Sequence, residues 1–398
     1  MGRPALVAQI AFATDPGAVP TWTDVSAYVR SAASPQLARI RRGRQHELAR
    51  FDAGTAELRL DNADRRFDPT NAASPLYPNV QVTRRGRISA TWSGTTYDLF
   101  DGYADAWPPE WPSPLDAEVF VPFTDGFKAL ALPKLSGSWP QERSDLRVAR
   151  VLDAASWPAA DRDLSTGQSE VQAVTASATP ALEHLQAVAL TESGRLFLSG
   201  DGSVVFHDRH RGYKSPYDAS LGTFGDDHAG GELPYSNLQP TLDDLDLWNS
   251  VVVTRTGGTA QTATDATSVA RHFERTLTQG GTLQTSDNEA LAAAQYWLSR
   301  YKDPLLRIRG IELRPQSDDN LWPHALGREI GDRITLRRRP PGGGAAIDIE
   351  CLIEGIEHDI QTTEWVTRWR LSPADVQEYW ILNSLTLSVL GSTTKLAY

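Results

Sequence analysis

The sequence predicts a mainly β fold with an α+β insert: two related β-barrel domains and a middle α+β domain. Three observations predict it. In residues 55–61, Thr55, Glu57, Arg59 and Asp61 alternate with Ala56, Leu58 and Leu60, the period of a half-buried strand. Strand-like segments bounded by short turns recur at about ten-residue spacing, which favours a small closed sheet. Two strand-rich blocks also echo each other across a stretch of helical period.

The first barrel domain covers residues 1–137. ALVAQIAF reads as a strand, turning at Asp15, Pro16 and Gly17, and TWTDVSAYVRS follows with Trp22 and Val25 as anchors. The chain is organised around residues 40–69: a strand, a polar turn, the alternating strand, and an acidic-basic corner. Asp68 and Pro69 end that corner, since proline donates no ladder hydrogen bond. After a Pro-containing loop, residues 87–92 alternate, turn at Ser93 and Gly94, and return through TYDLFDGYADAW. Residues 118–123 supply the last strand.

The period changes in the middle domain, residues 138–236. Leu146, Val148, Val151, Leu152 and Ala155 share one helical face behind Ser144 as N-cap. Trp157 and Pro158 end that helix. A second helix starts near Thr179 with Pro180 at its first position, carrying Leu182, Leu185, Val188 and Ala189. RLFLS and VVFHDR form a hairpin around Gly200, Asp201 and Gly202.

Residues 237–375 make the second barrel domain. LWNSVVVTRTGG opens it, and an Ala-rich helix over 287–301, with Asp287 as cap, is inserted. Strands follow at 305–314 and 330–338, then a loop at Gly342, Gly343 and Gly344, then IDIECLIEGIEHDI and TEWVTRWRL. The echo sets GRISATWSGTTYDLFDGYADAW against DRITLRRRPPGGGAAIDIECLIEGIEHDI. Ile88 falls opposite Ile334, Gly102 opposite Gly355, and GTAELRLDN opposite NSVVVTRTGG. Residues 376–398 form a C-terminal arm. Its segment 385–390, with Leu385 and Leu387 as interface candidates, is suited to strand addition onto a neighbour. Two barrels per chain also mean that three chains around an axis present six near-equivalent barrels, a match for a sixfold partner.

A formal charge of −11 argues against a dedicated nucleic-acid binder. It suits a surface past which DNA slides without sticking. No apolar run approaches the length of a spanning helix, and neither a signal peptide nor a myristoylation signal is read at the N-terminus. The single cysteine, Cys351, excludes an internal disulfide and reads as a buried thiol.

Candidate chemistry is sparse. Asp61, Asp64 and Asp68 lack the alternate oxygens and glycine turn of a calcium loop and read as corner ion pairs. His207 and His210 have no evident third metal ligand and read as surface histidines. Asp243, Asp244 and Asp246 read as a linker or cap. Glu110 and Asp116 do not define a glycosidase pair by spacing alone. There is no nucleophile elbow and no phosphate-binding glycine motif. Catalytic, cofactor and metal sites are therefore not expected. Trp107, Trp111, Trp365 and Trp369 lie in the two barrel closures, as core packing or as interface anchors.

TWTDVSAYVRS, RRGRQHELARFDAGTAELRLDNADRRFDP, WPPEWP and RVARVLDAASWP together resemble the minor tail proteins of siphophages of actinobacteria. The two-barrel layout resembles hub proteins of phage tail tips and of the baseplates of contractile injection machines. The resemblance spans nearly the whole chain. It implies a structural virion protein at the tail tip: a homotrimeric ring below the tail tube and the tape-measure protein, contacting a hexameric distal tail protein and other tail-tip proteins, with DNA passing through its lumen. The chain departs from many tail-tip proteins in having no long peptidase, lectin or fibre region before Tyr398. One rival reading is the hexameric distal tail protein itself, with one barrel per chain. Another is a carbohydrate-binding or cell-wall-degrading tip protein.

Overall fold

Alternating segments pair into ladders where each can bury one face, and the computed structural model shows which do. It describes residues 2–30, 34–113, 116–238 and 240–374. The C-terminal arm, with Leu385 and Leu387, lies outside the described residues. The first strands are β1 Ala5–Ile10, β2 Gln36–Gly43 and β3 Thr55–Asp61. Next come β4 Arg85–Trp92, β5 Thr95–Ala104, β6 Pro109–Ser113 and β7 Asp116–Asp125. The middle block holds helices α1 Ser144–Ala154 and α2 Ala181–Glu192 and the hairpin β8 Arg195–Leu198 with β9 Val204–His207. Then come β10 Pro240–Leu242, β11 Ser250–Arg255, helix α3 Asp287–Tyr301, β12 Leu306–Ile308 and β13 Gly310–Leu313. The chain's last described strands are β14 Arg333–Arg338, β15 Ile347–Gln361 and β16 Trp365–Pro373.

The fold is mainly β with an α+β middle block, as expected, but the barrels are open. Among the described residues no sheet closes on itself, and both strand-rich blocks belong to one thirteen-stranded sheet. The reason is β2. It pairs antiparallel with β3, Ala38 facing Leu58 and Arg41 facing Thr55. Its other edge pairs with β15, Gly43 facing Gly355 and Ala38 facing Ile360. An edge strand seeks a partner for its free N–H and C=O groups; here that partner belongs to the other block.

The expected echo is present as topology. In the first block the sheet order is β4-β5-β7-β3, all antiparallel. In the second it is β14-β15-β16-β13, again antiparallel. In each unit the first strand in sequence lies at one end of this order, beside the fourth. Ile88 and Ile334 sit on the equivalent strands β4 and β14, and Gly102 and Gly355 on β5 and β15. One part of the echo is corrected. GTAELRLDN corresponds to β12 and β13, not to NSVVVTRTGG. Strand β11 instead forms a separate three-stranded sheet with Gln261–Thr264 and Thr276–Thr282, covered by α3 through Ala290, Ala293 and Ala294.

Helix starts also differ in detail. Ser144 is the first residue of α1, and its Oγ donates to Glu192 (2.7 Å) rather than capping. Pro180 flanks α2, which begins at Ala181. Ser286 caps α3, accepting from the Glu289 N–H (3.3 Å), while Asp287 binds Arg255 (2.6 Å).

The apolar faces fill two large cores. One joins the first block to Trp322, Leu326, Ile360 and Trp365; the other joins the middle block to Ile356, Trp369 and their neighbours. The β15–β16 hairpin thus contributes to both. Where β2 crosses β15 the backbones nearly touch. Gly43 has φ +98°, and a Cβ there would lie 2.4 Å from the Glu354 carbonyl oxygen and 2.6 Å from the Gly355 Cα. Gly43→Ala should therefore lower stability by about 2 kcal/mol or more, from left-handed strain plus overpacking. Gly342→Ala, with nothing within 4 Å of its Cβ, should be near neutral. Urea midpoints at unchanged slope check both.

Candidate assembly surface

Outward positions on the shared sheet alternate with the buried ones, so register lines them into rows. One row crosses eight strands and both units: Glu312, Arg368, Glu357, Arg41, Thr55, Thr124, Tyr103 and Arg85. Arg368 binds Glu312 (3.1 Å) and approaches Glu357 (3.7 Å), and Arg41 binds Glu357 (3.3 Å). In the neighbouring row Arg39 meets Asp359 (3.6 Å), and one row further along β3 Arg59 meets Glu118 (3.6 Å) and Glu110 (3.5 Å). Guanidinium groups thus lie beside carboxylates along these rows; Glu312, Glu118 and Asp359 are themselves buried, and the Arg85 end lines the cleft against the middle block. Such pairs add little stability individually, but they leave little unbalanced positive charge to hold a phosphate backbone.

The seam between the units is held from inside. Glu354 is fully buried on β15. Its carboxylate accepts from Arg44 at the end of β2 (2.8 Å), from Arg195 on β8 (2.8 Å) and from Ser372 Oγ on β16 (2.6 Å). First block, middle block and second block therefore meet on one side chain. Burial by itself raises its pKa; Arg195 and Arg44, with hydrogen bonds from Arg195 and Ser372, outweigh that and hold it at about 2. Beside it Arg42 binds Glu329 (2.8 Å) and the Leu198 carbonyl (3.2 Å), and Arg307 binds Glu47.

The four tryptophans separate into two kinds. Trp107 packs on Phe12 (ring centroids 5.6 Å apart) and Phe67, its indole donating to the Gln81 carbonyl (2.7 Å). Trp365 meets Trp322 edge-on at 5.6 Å, and Trp369 meets Phe224 at 5.3 Å. These three are buried in the cores of the single chain. Trp111, on β6, is 65% exposed and remains available to a partner.

The polar clusters resolve into ion pairs and capping. Asp61 binds Arg30, Asp64 binds Arg66 (2.5 Å), and Asp68 binds Arg65 (2.7 Å). Asp243 and Asp246 bind Arg309, each at 2.9 Å, and Asp244 binds Arg275 (2.5 Å). Glu110 reaches Arg59, and Asp116 accepts from Ser113 (2.7 Å). His207 is not at the surface: it is buried edge-on against Phe197 (5.2 Å), and burial, then Arg211 and Arg195, push its pKa well below the usual value. His210 is lowered to about 4, first by burial. Cys351 is a buried free thiol that burial pushes up to about 12. Among the described residues no group of three His, Cys, Asp or Glu could hold a metal, and no helix is long and apolar enough to cross a membrane. A cleft of about 660 Å³ lies between the N-terminal turn and the middle block, lined by Val19, Trp22, Leu132 and Trp157 with Arg85 and Asp101.

No family model and no curated protein matches the sequence. Solved structures do match in shape. The 43 kDa tail protein of prophage MuSo2 from Shewanella oneidensis aligns with TM-score 0.58 at 13% identity, over 94% of this chain and 98% of that one. The tail protein from Neisseria meningitidis MC58 aligns with TM-score 0.60 at 12% identity, over 92% and 96%. This chain has the fold of those phage tail proteins.

Sequence reasoning missed Glu354 and its partners. The available signal was a lone carboxylate in the apolar run CLIEGI. Glu354→Gln should cost about 3 kcal/mol or more, because two partly buried guanidinium groups, Arg44 and Arg195, lose their fully buried counter-charge. The group's pKa is lowered on folding, so its stabilising contribution is full above about 4.5 and is lost as pH falls toward about 2. The stability gap between wild type and Glu354→Gln, from urea titrations, should accordingly shrink across that window. A gap independent of pH contradicts the assignment.

Proposed function

We propose that this chain is the structural hub of a siphophage tail tip, or baseplate. Three copies form a ring that adapts the sixfold tail tube to a threefold tip and lines the DNA path. The observation that carries this reading is the four-stranded unit occurring twice with one strand order. Two units per chain let three chains offer six near-equivalent positions.

The charge-paired sheet rows support a lumen role. Their Arg side chains sit beside acidic partners, the overall charge is −11, and phosphates meet little adhesive surface. The likeness in fold to two phage tail proteins supports a place in the virion tail. On this reading the partners are a distal tail protein above, the tape-measure protein, and other tip proteins. The role is mechanical rather than enzymatic.

The mass of the purified oligomer tests this. We expect about three times 43.7 kDa by native mass spectrometry or light scattering, at concentrations high enough to populate the ring. About six times that mass points to the distal-tail arrangement instead. A protein that stays monomeric at every concentration contradicts a self-assembling ring.

A further inference from the structure

The two units differ at one edge, and the difference identifies a docking surface. In the second unit β15 runs beside β16 from Cys351 to Ile360. Its other edge is filled first by β14 and then by β2. In the first unit β5 and β6 together run beside β7 as β15 does beside β16: Gly102 faces Asp125, Ala104 faces Phe123, and Pro109 faces Val119. The outer edge of β5 is filled by β4. The outer edge of β6 is paired with no strand among the described residues.

What is missing there is a strand like β2, and the second unit holds one. Beside β3 lies β2; beside β13 and β12 lie Ser236 and β10. Ser236 faces Glu312 with hydrogen bonds in both directions (2.8 and 3.0 Å), and Pro240 faces Ile308 in the same antiparallel register. But β2 has a second partner on its far edge, whereas β10 has none among the described residues. Each chain therefore offers one empty edge at β6 and one unused strand at β10.

Both open edges carry an exposed apolar side chain. Trp111 on β6 is 65% exposed; Leu242 on β10 is 66% exposed, and Leu245 three residues on is 62%. Large apolar side chains flanking an unpaired edge favour strand addition, with backbone hydrogen bonds in the ladder and side chains in pockets. Pro109 and Pro112 are tolerated on an edge but donate no ladder hydrogen bond, so an added strand pairs here through the remaining backbone groups and the exposed Trp111.

The geometry points to β6 of one chain as the docking edge for β10 of a second copy, repeating between chains the β15–β2 pairing within each chain. The interface is head-to-tail, and it closes as a ring where the repeated rotation returns to its start after three chains. This rests on the hub reading above and gives that reading its contact surface.

Thiol crosslinking tests it, since native Cys351 is buried. Trp111→Cys and Leu242→Cys both replace exposed side chains. With a short bis-maleimide, the double variant should give a ladder ending at trimer on a denaturing gel. A mixture of the two single variants should give dimer only, and either single variant alone none. Trp111→Glu should lose the trimer while keeping the urea midpoint of the wild-type monomer. If a trimer of the correct mass forms but these positions never crosslink, the β6–β10 surface is wrong and the ring stands. If Trp111→Cys alone crosslinks to itself, the contact is twofold and the proposal falls. If no oligomer forms at all, the hub reading fails together with it.

Discussion

The fold depends on one buried carboxylate. Glu354 receives Arg44, Arg195 and Ser372, so three blocks of the chain converge on a single charge excluded from water. Such a group is costly to bury unless every lone pair is satisfied. Here the satisfaction comes from residues 310 and 159 positions away in sequence. The charge is stable only when the blocks are docked. Next to it Gly43 lets β2 lie against β15 at a spacing no other residue permits. Seam and sheet are therefore one constraint: the two four-stranded units share a ladder and cannot easily rotate apart.

Rigid docking gives the duplication its consequence. Two copies of a unit on a flexible tether sample many angles; two copies sharing a ladder hold one. A fixed angle repeated between chains can close a ring, where its rotation divides a full turn, while a variable angle cannot. The same sheet continuity runs the charge-paired rows across both units. A channel for DNA needs its wall to be hydrated and close to charge-neutral, because an unbalanced Arg row would bind phosphates. In this chain the Arg side chains of these rows lie beside Glu or Asp from the adjoining strand.

Much of the fold was legible in the sequence wherever the signal is local. Alternation marked β3, Ser93 and Gly94 marked the β4–β5 turn, and apolar periodicity marked α1, α2 and α3. The echo of Ile88 with Ile334 and of Gly102 with Gly355 correctly paired strands that the sheet makes equivalent. Features set by long-range pairing were not legible. The run VVV at Val251, Val252 and Val253 has a stronger strand pattern than LLRIRGIEL, yet the latter holds the position equivalent to β3. Open versus closed sheets depend on which edge β2 prefers, and no local pattern encodes that. WPPEWP hid the edge strand β6 behind its prolines. Trp107, Trp111, Trp365 and Trp369 look alike in sequence; what surrounds each separates three core rings from one exposed ring.

The most direct test of the central claim, two rigidly joined units acting as equivalents, is an electron-microscopic view of the assembled ring down its axis. The account predicts three chains whose strand layer shows six near-equivalent lobes at one radius, with threefold symmetry reappearing in the middle blocks. A strand layer with the two units of each chain at different radii, and no sixfold component, would contradict it.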